Sequence, residues 1–170
     1  DYYKKEFLKS CIIFDVLPET RKLFWESIFE FIDHSTVSSK TTWMFHTTEF
    51  YRRGGNGALR LARLLVRRVL WFFGQARTWR KFLRWVYYYL PSSSYGALFD
   101  KYKPDAVFCP TMVYQDQLIL KEAKKRGIKM IGAVLSWDNL FTKTSLRVHP
   151  DKLLTQTSIV REQAARMADY

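Results

Sequence analysis

The spacing of apolar and polar positions changes character twice along the chain. Ile12 to Leu17 is a short apolar run closed by Pro18, which predicts a buried strand, and Pro18-Glu19 opens a helix reaching Ser27. Ile28 to Asp33 fits two periods. Leu23, Phe24, Ser27, Ile28, Phe31 and Ile32 continue a helical spacing, whereas Phe29 and Phe31 around Glu30 alternate as in a strand. Ser35 to Arg53 is polar and then aromatic, and Gly54-Gly55-Asn56-Gly57 reads as a flexible connector.

Ala58 to Phe73 predicts an amphipathic helix ended by Gly74. Arg60, Arg63 and Arg67 fall on one side, and Leu61, Leu64, Leu65 and Val69 fill much of the rest. Thr78 to Leu90 repeats the layout, with Arg77, Arg80, Lys81 and Arg84 opposite Phe82, Trp85, Val86 and Tyr89, and Pro91 and the serines after it stop the helix. Residues 58–90 thus read as an inserted basic αα-hairpin. From Tyr95 the pattern becomes regular: a helix to Tyr102, a strand Ala106 to Cys109, a helix Gln115 to Arg126 closed by Gly127, a strand Ile128 to Leu135, a strand Lys152 to Thr155, and a helix from Val160. Strand starts recur roughly every 23 residues, the βαβ rhythm of a parallel sheet. The predicted class is α/β: an incomplete Rossmann-like, doubly wound parallel sheet carrying the inserted hairpin.

Length and composition narrow the class further. With 170 residues, 48% hydrophobic and 26% charged, the chain can bury one domain core and does not read as disordered. It starts at Asp1 without a methionine and stops at Tyr170 inside a predicted helix, so we expect a piece of a longer protein. The longest apolar run, Val69 to Gly74, falls far short of the about 20 residues of a bilayer crossing, so any membrane contact is expected to be peripheral. Cys11 and Cys109 sit in apolar surroundings without a CxxC partner, as expected of buried thiols in a reducing cytoplasm. The net charge of +12 is local: from Tyr51 to Phe99 there are ten basic residues and no acidic one.

In open parallel sheets, ligands sit beyond the carboxyl ends of the strands, where loops converge and helix N-termini point. Pro110 to Gln117, Ser136 to Leu140 and Gln156 to Ser158 should meet there. Trp137, Asp138 and Asn139 combine an apolar plate, a charge and an amide, a set suited to stacking on a sugar and fixing its hydroxyls; the same residues could equally close a local turn. Thr111, Asp116 and Gln117 are further candidate substrate contacts, although Asp116 could simply favour the positive end of its helix.

Tyr102-Lys103-Pro104-Asp105 entering a strand, Asp116, the Ala123-Lys-Lys-Arg-Gly127 helix end, Ser136-Trp137-Asp138-Asn139-Leu140 and Pro150-Asp151-Lys152-Leu153 together resemble a bacterial family of surface-carbohydrate biosynthesis proteins. That family is similar to GT-B glycosyltransferases and CDP-glycerol glycerophosphotransferases. The resemblance covers about the last 70 residues; upstream only the layout matches. Where the family continues with a Thr-Ser-Lys-Gly-like run, Phe141-Thr142-Lys143-Thr144 keeps the lysine and lacks the glycine. The resemblance implies an N-terminal, acceptor-side domain whose nucleotide-activated donor is held mostly by a missing C-terminal domain, leaving the chain inactive alone. It also implies a base that deprotonates the acceptor hydroxyl, with Asp138 ahead of Asp116 and His46. His34, His46 and His149 read as structural or surface histidines. No metal-ligand spacing, phosphate loop or Gly-x-Ser-x-Gly is present, so no cofactor and no metal are expected.

The arginine helices admit three roles. Arg60, Arg63, Arg67, Arg77, Arg80, Lys81 and Arg84 could meet anionic lipid headgroups while Trp71, Phe72, Phe73 and Trp79 insert, as suits an enzyme with a lipid-linked acceptor on the inner face of the plasma membrane. They could bind a nucleic acid, which no RNP-like, helix-turn-helix or zinc pattern supports. Or they could be solvated or inter-domain faces, and the lack of acidic partners nearby in sequence stands against a purely structural role. The functional expectation is the N-terminal part of an enzyme transferring a sugar or polyol-phosphate to a lipid-linked or cell-envelope acceptor. The rivals are a non-catalytic membrane- or nucleic-acid-binding module and a sugar-nucleotide epimerase.

Overall fold

A computed structural model describes residues 17, 21, 23–52, 54–91, 95–112, 114–134, 136 and 145–170. Apart from Leu17, the strand expected at Ile12–Leu17 lies outside the described residues, as does Cys11. The two-valued stretch Ile28 to Asp33 resolves as helix, inside α1 (Phe24–Thr36). The Glu26 carboxylate accepts the Leu23 N–H at 2.7 Å across its first turn, and the Ser35 and Thr36 hydroxyls donate back to the Phe31 and Ile32 carbonyls at its end.

A second helix, α2 (Lys40–Arg52), occupies the stretch in which no element was expected. Its threonines and aromatics are weak helix formers, but Ser39 Oγ accepts the Thr42 N–H at 3.0 Å and caps it. Next come α3 (Gly57–Phe73), capped by Asn56 Oδ1 on the Ala58 N–H at 2.9 Å, and α4 (Arg77–Tyr89). Gly74 joins them where a side chain would not fit: a Cβ there would overlap the Thr36 carbonyl at the end of α1. The hairpin expectation is corrected on one point. Both helices pack against α1, and α3 also against α2, rather than mainly against each other.

The remainder is α5 (Gly96–Tyr102), β1 (Ala106–Cys109), α6 (Tyr114–Lys125), β2 (Lys129–Val134), β3 (Lys152–Thr155) and α7 (Ser158–Ala168). The three strands are parallel in the order β1-β2-β3, with Ala106 opposite Lys129 and Ile131 opposite Lys152. Asp151 locks the start of β3 to β2, donating its N–H to the Met130 carbonyl at 2.9 Å and accepting the Met130 N–H at 2.7 Å. One face of the sheet, with Cys109, Met130 and Val134, joins Leu118, Leu120, Val160 and Ala164 of the helices in the core. The other face carries Phe108 and Leu154, both exposed. Covering on both faces is what a doubly wound sheet requires, and the described residues supply it on one, so they form a mixed α/β chain with a small parallel sheet.

Candidate functional site

The carboxyl end of β1 turns into α6 through a tightly tied loop. Asp116 Oδ2 accepts three hydrogen bonds, from the Thr111 N–H at 2.8 Å, the Thr111 hydroxyl at 2.7 Å and the Met112 N–H at 2.8 Å. Met112 is held at φ 56°, a left-handed conformation that few residues with a side chain adopt, and its side chain is buried. Gly132 on β2 makes room for it, since a Cβ there would overlap the Met112 sulfur. Gln117 is fully buried, its amide donating to the Met112 carbonyl and accepting the Val148 N–H, both at 2.9 Å. Two expectations change accordingly. Gln117 has no surface to offer a substrate, and Asp116 Oδ2 is a loop staple, its charge spent on local donors.

Ser136 follows β2 at the same end of the sheet and is half-buried; Trp137, Asp138 and Asn139 lie outside the described residues. Ser158 opens α7 after β3, with Thr157 Oγ1 accepting the Val160 N–H at 3.2 Å. Because the three strands are parallel, Pro110, Ser136 and Gln156 follow them at one end of the sheet, as the strand rhythm predicts.

The arginines have partners, contrary to the expectation drawn from the missing acids. Arg80 grips Asp169 at two points, Nε to Oδ2 at 3.1 Å and Nη2 to Oδ1 at 2.6 Å. Arg84 adds a bond at 2.7 Å, and Arg77 stands at 3.6 Å. Burial alone would raise the Asp169 carboxyl, but Arg80 and Arg84 hold it below the ordinary carboxylate range. On α3, Arg67 pairs with Glu49, and Arg63 and Arg67 both stack on Phe31 at 5.2 Å. Arg60 donates to the Phe50 carbonyl at 3.3 Å, and Arg68 lies over the Trp43 ring at 3.3 Å. Lys81 points to solvent. Asp169 carried no local signal, standing 89 residues along the chain from Arg80 and 85 from Arg84.

With the guanidinium groups of Arg67, Arg80 and Arg84 turned inward, an apolar side of each helix faces out. On α3, Leu61, Leu65, Val66, Val69, Phe72 and Phe73 are exposed and no charge interrupts them, Arg63 lying at the flank. Phe72 is 67% exposed and Trp85 on α4 is 60% exposed. Neighbouring rings run from Phe72 through Phe73, Trp79, Phe82 and Trp85 to Tyr89, with centroids 5.2–6.2 Å apart. Of the residues expected to insert into lipid, Phe72 and Phe73 face out. Trp71 and Trp79 turn in, their indole N–H groups donating to the Ser39 carbonyl and the Thr36 hydroxyl.

A second buried ion pair, also unforeseen, joins Arg147 to Asp33 at 2.7 Å, with Ser145 donating to the same carboxylate. Burial pushes the Tyr87 hydroxyl beside it up to about 12. Burial, then Asp116, pushes the Cys109 thiol up to about 12, which makes it an inert core thiol. His46 is 1% exposed and neither ring nitrogen has a hydrogen-bond partner; His149 stacks edge-on against Tyr170 at 5.6 Å. No group of candidate metal ligands occurs among the described residues.

Set beside known proteins, the chain matches no family profile, no curated protein and no solved structure.

Proposed function

We propose that the chain is the acceptor-side part of a glycosyltransferase-like enzyme, built on a Rossmann-like fold, that seats on an anionic membrane to reach a lipid-linked acceptor. The observation that carries the membrane part is the uncharged outer side of α3 continued by the ring ladder of α4. Neighbouring exposed apolar side chains of this kind mark interaction surfaces, and each Leu, Val or Phe side chain fully buried in lipid would contribute about 1.5–3 kcal/mol. From Tyr51 to Phe99 there is no acidic residue to be repelled by anionic headgroups, and Lys81 and Arg63 flank the apolar side. No described helix is long and apolar enough to cross a membrane.

The transferase part is supported by the parallel order of β1, β2 and β3 and by the Ser136-Trp137-Asp138-Asn139 motif that follows β2 in the sequence. In this scheme Asp138 takes the proton of the acceptor hydroxyl as that oxygen bonds to the donor carbon and the nucleotide leaves. The donor binds a further domain. In the intact gene product, Asp138→Asn should abolish transfer from a nucleotide-activated donor to membrane-extracted acceptor and leave vesicle binding unchanged. Transfer that survives Asp138→Asn would remove that residue's role.

One observation favours a second reading, a non-catalytic membrane-binding module: Asp116 and Gln117 are tied into the loop rather than offered to a ligand. Vesicle binding by an intact protein that transfers nothing from any nucleotide-activated donor would select it.

A further inference from the structure

A cleft of about 630 Å³ opens where the start of α2, the corner between α3 and α4, and the last turn of α7 meet. Hydrogen bonds within the fold fix its walls. The Trp71 indole N–H donates to the Ser39 carbonyl at 3.1 Å, joining α3 to the start of α2. Arg80 Nη1 donates to the Gly74 and Gln75 carbonyls at 2.7 and 3.1 Å, and Nη2 reaches the Arg166 carbonyl at 3.4 Å, joining the corner to α7. Asp169 takes Nε and the other Nη2 hydrogen, so all five Arg80 donors are engaged and its charge has a partner. Arg80 builds the cleft and has nothing left to offer a ligand.

The remaining polar groups are placed differently. Ser38, Lys40, Thr41, Gln75 and Arg166 all line the cleft, and among the described residues their side chains have no hydrogen-bond or ion-pair partner. Lys40 and Arg166 stand on separate walls, α2 and α7, and no carboxylate is among the lining residues. Half-buried Trp71 supplies an apolar wall. A few polar groups converging on a concavity of about 300–1,000 Å³ with an apolar wall is the usual make-up of a small-molecule site. The charges narrow the ligand class. A metal cation would be repelled, a neutral sugar would leave both cations without a counter-charge, and a carboxylate brings one charge for two. A phosphoryl dianion answers both. The two hydroxyls and the amide each donate and accept, which suits a ligand rich in hydroxyl groups.

We infer that this cleft binds a small phosphorylated sugar, its phosphoryl group between Lys40 and Arg166 and its ring beside Trp71. The site is separate from the crevice beyond the strands, because Arg166 is in the last turn of α7, at the other end of that helix from Ser158, which follows β3. It is also separate from the apolar side of α3, since Trp71 points inward to Ser39. The inference therefore stands independently of the membrane and transferase readings.

The test is a titration of the chain with glucose 6-phosphate, glucose and inorganic phosphate, followed by the NMR resonance of the Trp71 indole N–H. Glucose 6-phosphate should give a saturable shift, with inorganic phosphate and glucose each at least about tenfold weaker. Lys40→Gln and Arg166→Gln, at exposed positions without partners, should each weaken glucose 6-phosphate about tenfold and leave the thermal midpoint unchanged. Absence of a saturable shift, equal affinity for inorganic phosphate, or undiminished affinity in both variants would overturn the inference. So would tighter binding of a single-stranded oligonucleotide that weakens in the same two variants, which would assign the cleft to a nucleic acid.

Discussion

Arg80 holds Asp169 by two parallel hydrogen bonds across 89 residues of chain, fastening α4 to the end of α7. The carboxylate is 4% exposed and also receives Arg84. Removing it leaves two partly buried guanidinium groups facing each other without a counter-charge, a loss of about 2–4 kcal/mol. Asp169→Ala should lower the denaturant midpoint correspondingly, and Asp169→Asn should recover only a minor part. Because the folded carboxyl titrates below its unfolded value, this contribution is complete above the unfolded pKa and is lost as pH falls through the folded one. An unchanged midpoint in Asp169→Ala would show the clamp to be a surface contact.

Gly132→Ala tests the loop after β1. The added methyl would overlap Met112, which is already confined to φ 56°, and would press on Pro150. Overpacking of this kind costs about 1–3 kcal/mol, measurable by thermal unfolding, and the vesicle affinity of the folded fraction should not move.

Lys121 gives the stability profile an alkaline feature. Its ammonium is buried, donates to the Leu90 carbonyl at 2.7 Å and lies 4.6 Å from the centre of the Tyr87 ring. Burial, then Lys125, lowers its pKa to about 8, against a smaller opposing effect of Glu26. Below pH 8 both folded and unfolded chains hold the proton and the cost of burial is full. From about 8 to the ordinary lysine value the unfolded chain alone stays protonated, so this group makes stability rise with pH. The shift corresponds to about 3 kcal/mol unscreened and roughly half that with solvent screening. Lys121→Met should flatten the rise and stabilise the chain at neutral pH; a slope that persists in the variant would assign it to another group.

Much of the second half of the fold was legible because each element there has one dominant period and clear punctuation: Ala106–Cys109 and Lys152–Thr155 are strands at the positions predicted, and Gly127 ends α6. α2 was hidden because Thr41, Thr42, Trp43 and Phe45 favour no helical stripe, and the Ser39 cap is a signal shared with turns. The amphipathic halves of α3 and α4 were correctly paired, but not their direction. Periodicity reports that two faces differ and is silent on which is inside. Here Glu49 and Asp169, distant in sequence, draw the arginines in. Asp116 shows the same limit: a carboxylate opening a helix looks alike whether it awaits a proton or ties Thr111 and Met112.

The orientation of those two helices is the claim on which the membrane reading stands, and quenching of tryptophan emission by brominated anionic vesicles tests it most directly. We predict strong quenching in the wild-type chain, most of it lost in Trp85→Phe, and vesicle affinity reduced about tenfold or more when Phe72→Asp places a charge on the outer face of α3. Quenching unchanged by Trp85→Phe together with undiminished affinity in Phe72→Asp, or no vesicle binding at all, would contradict the account.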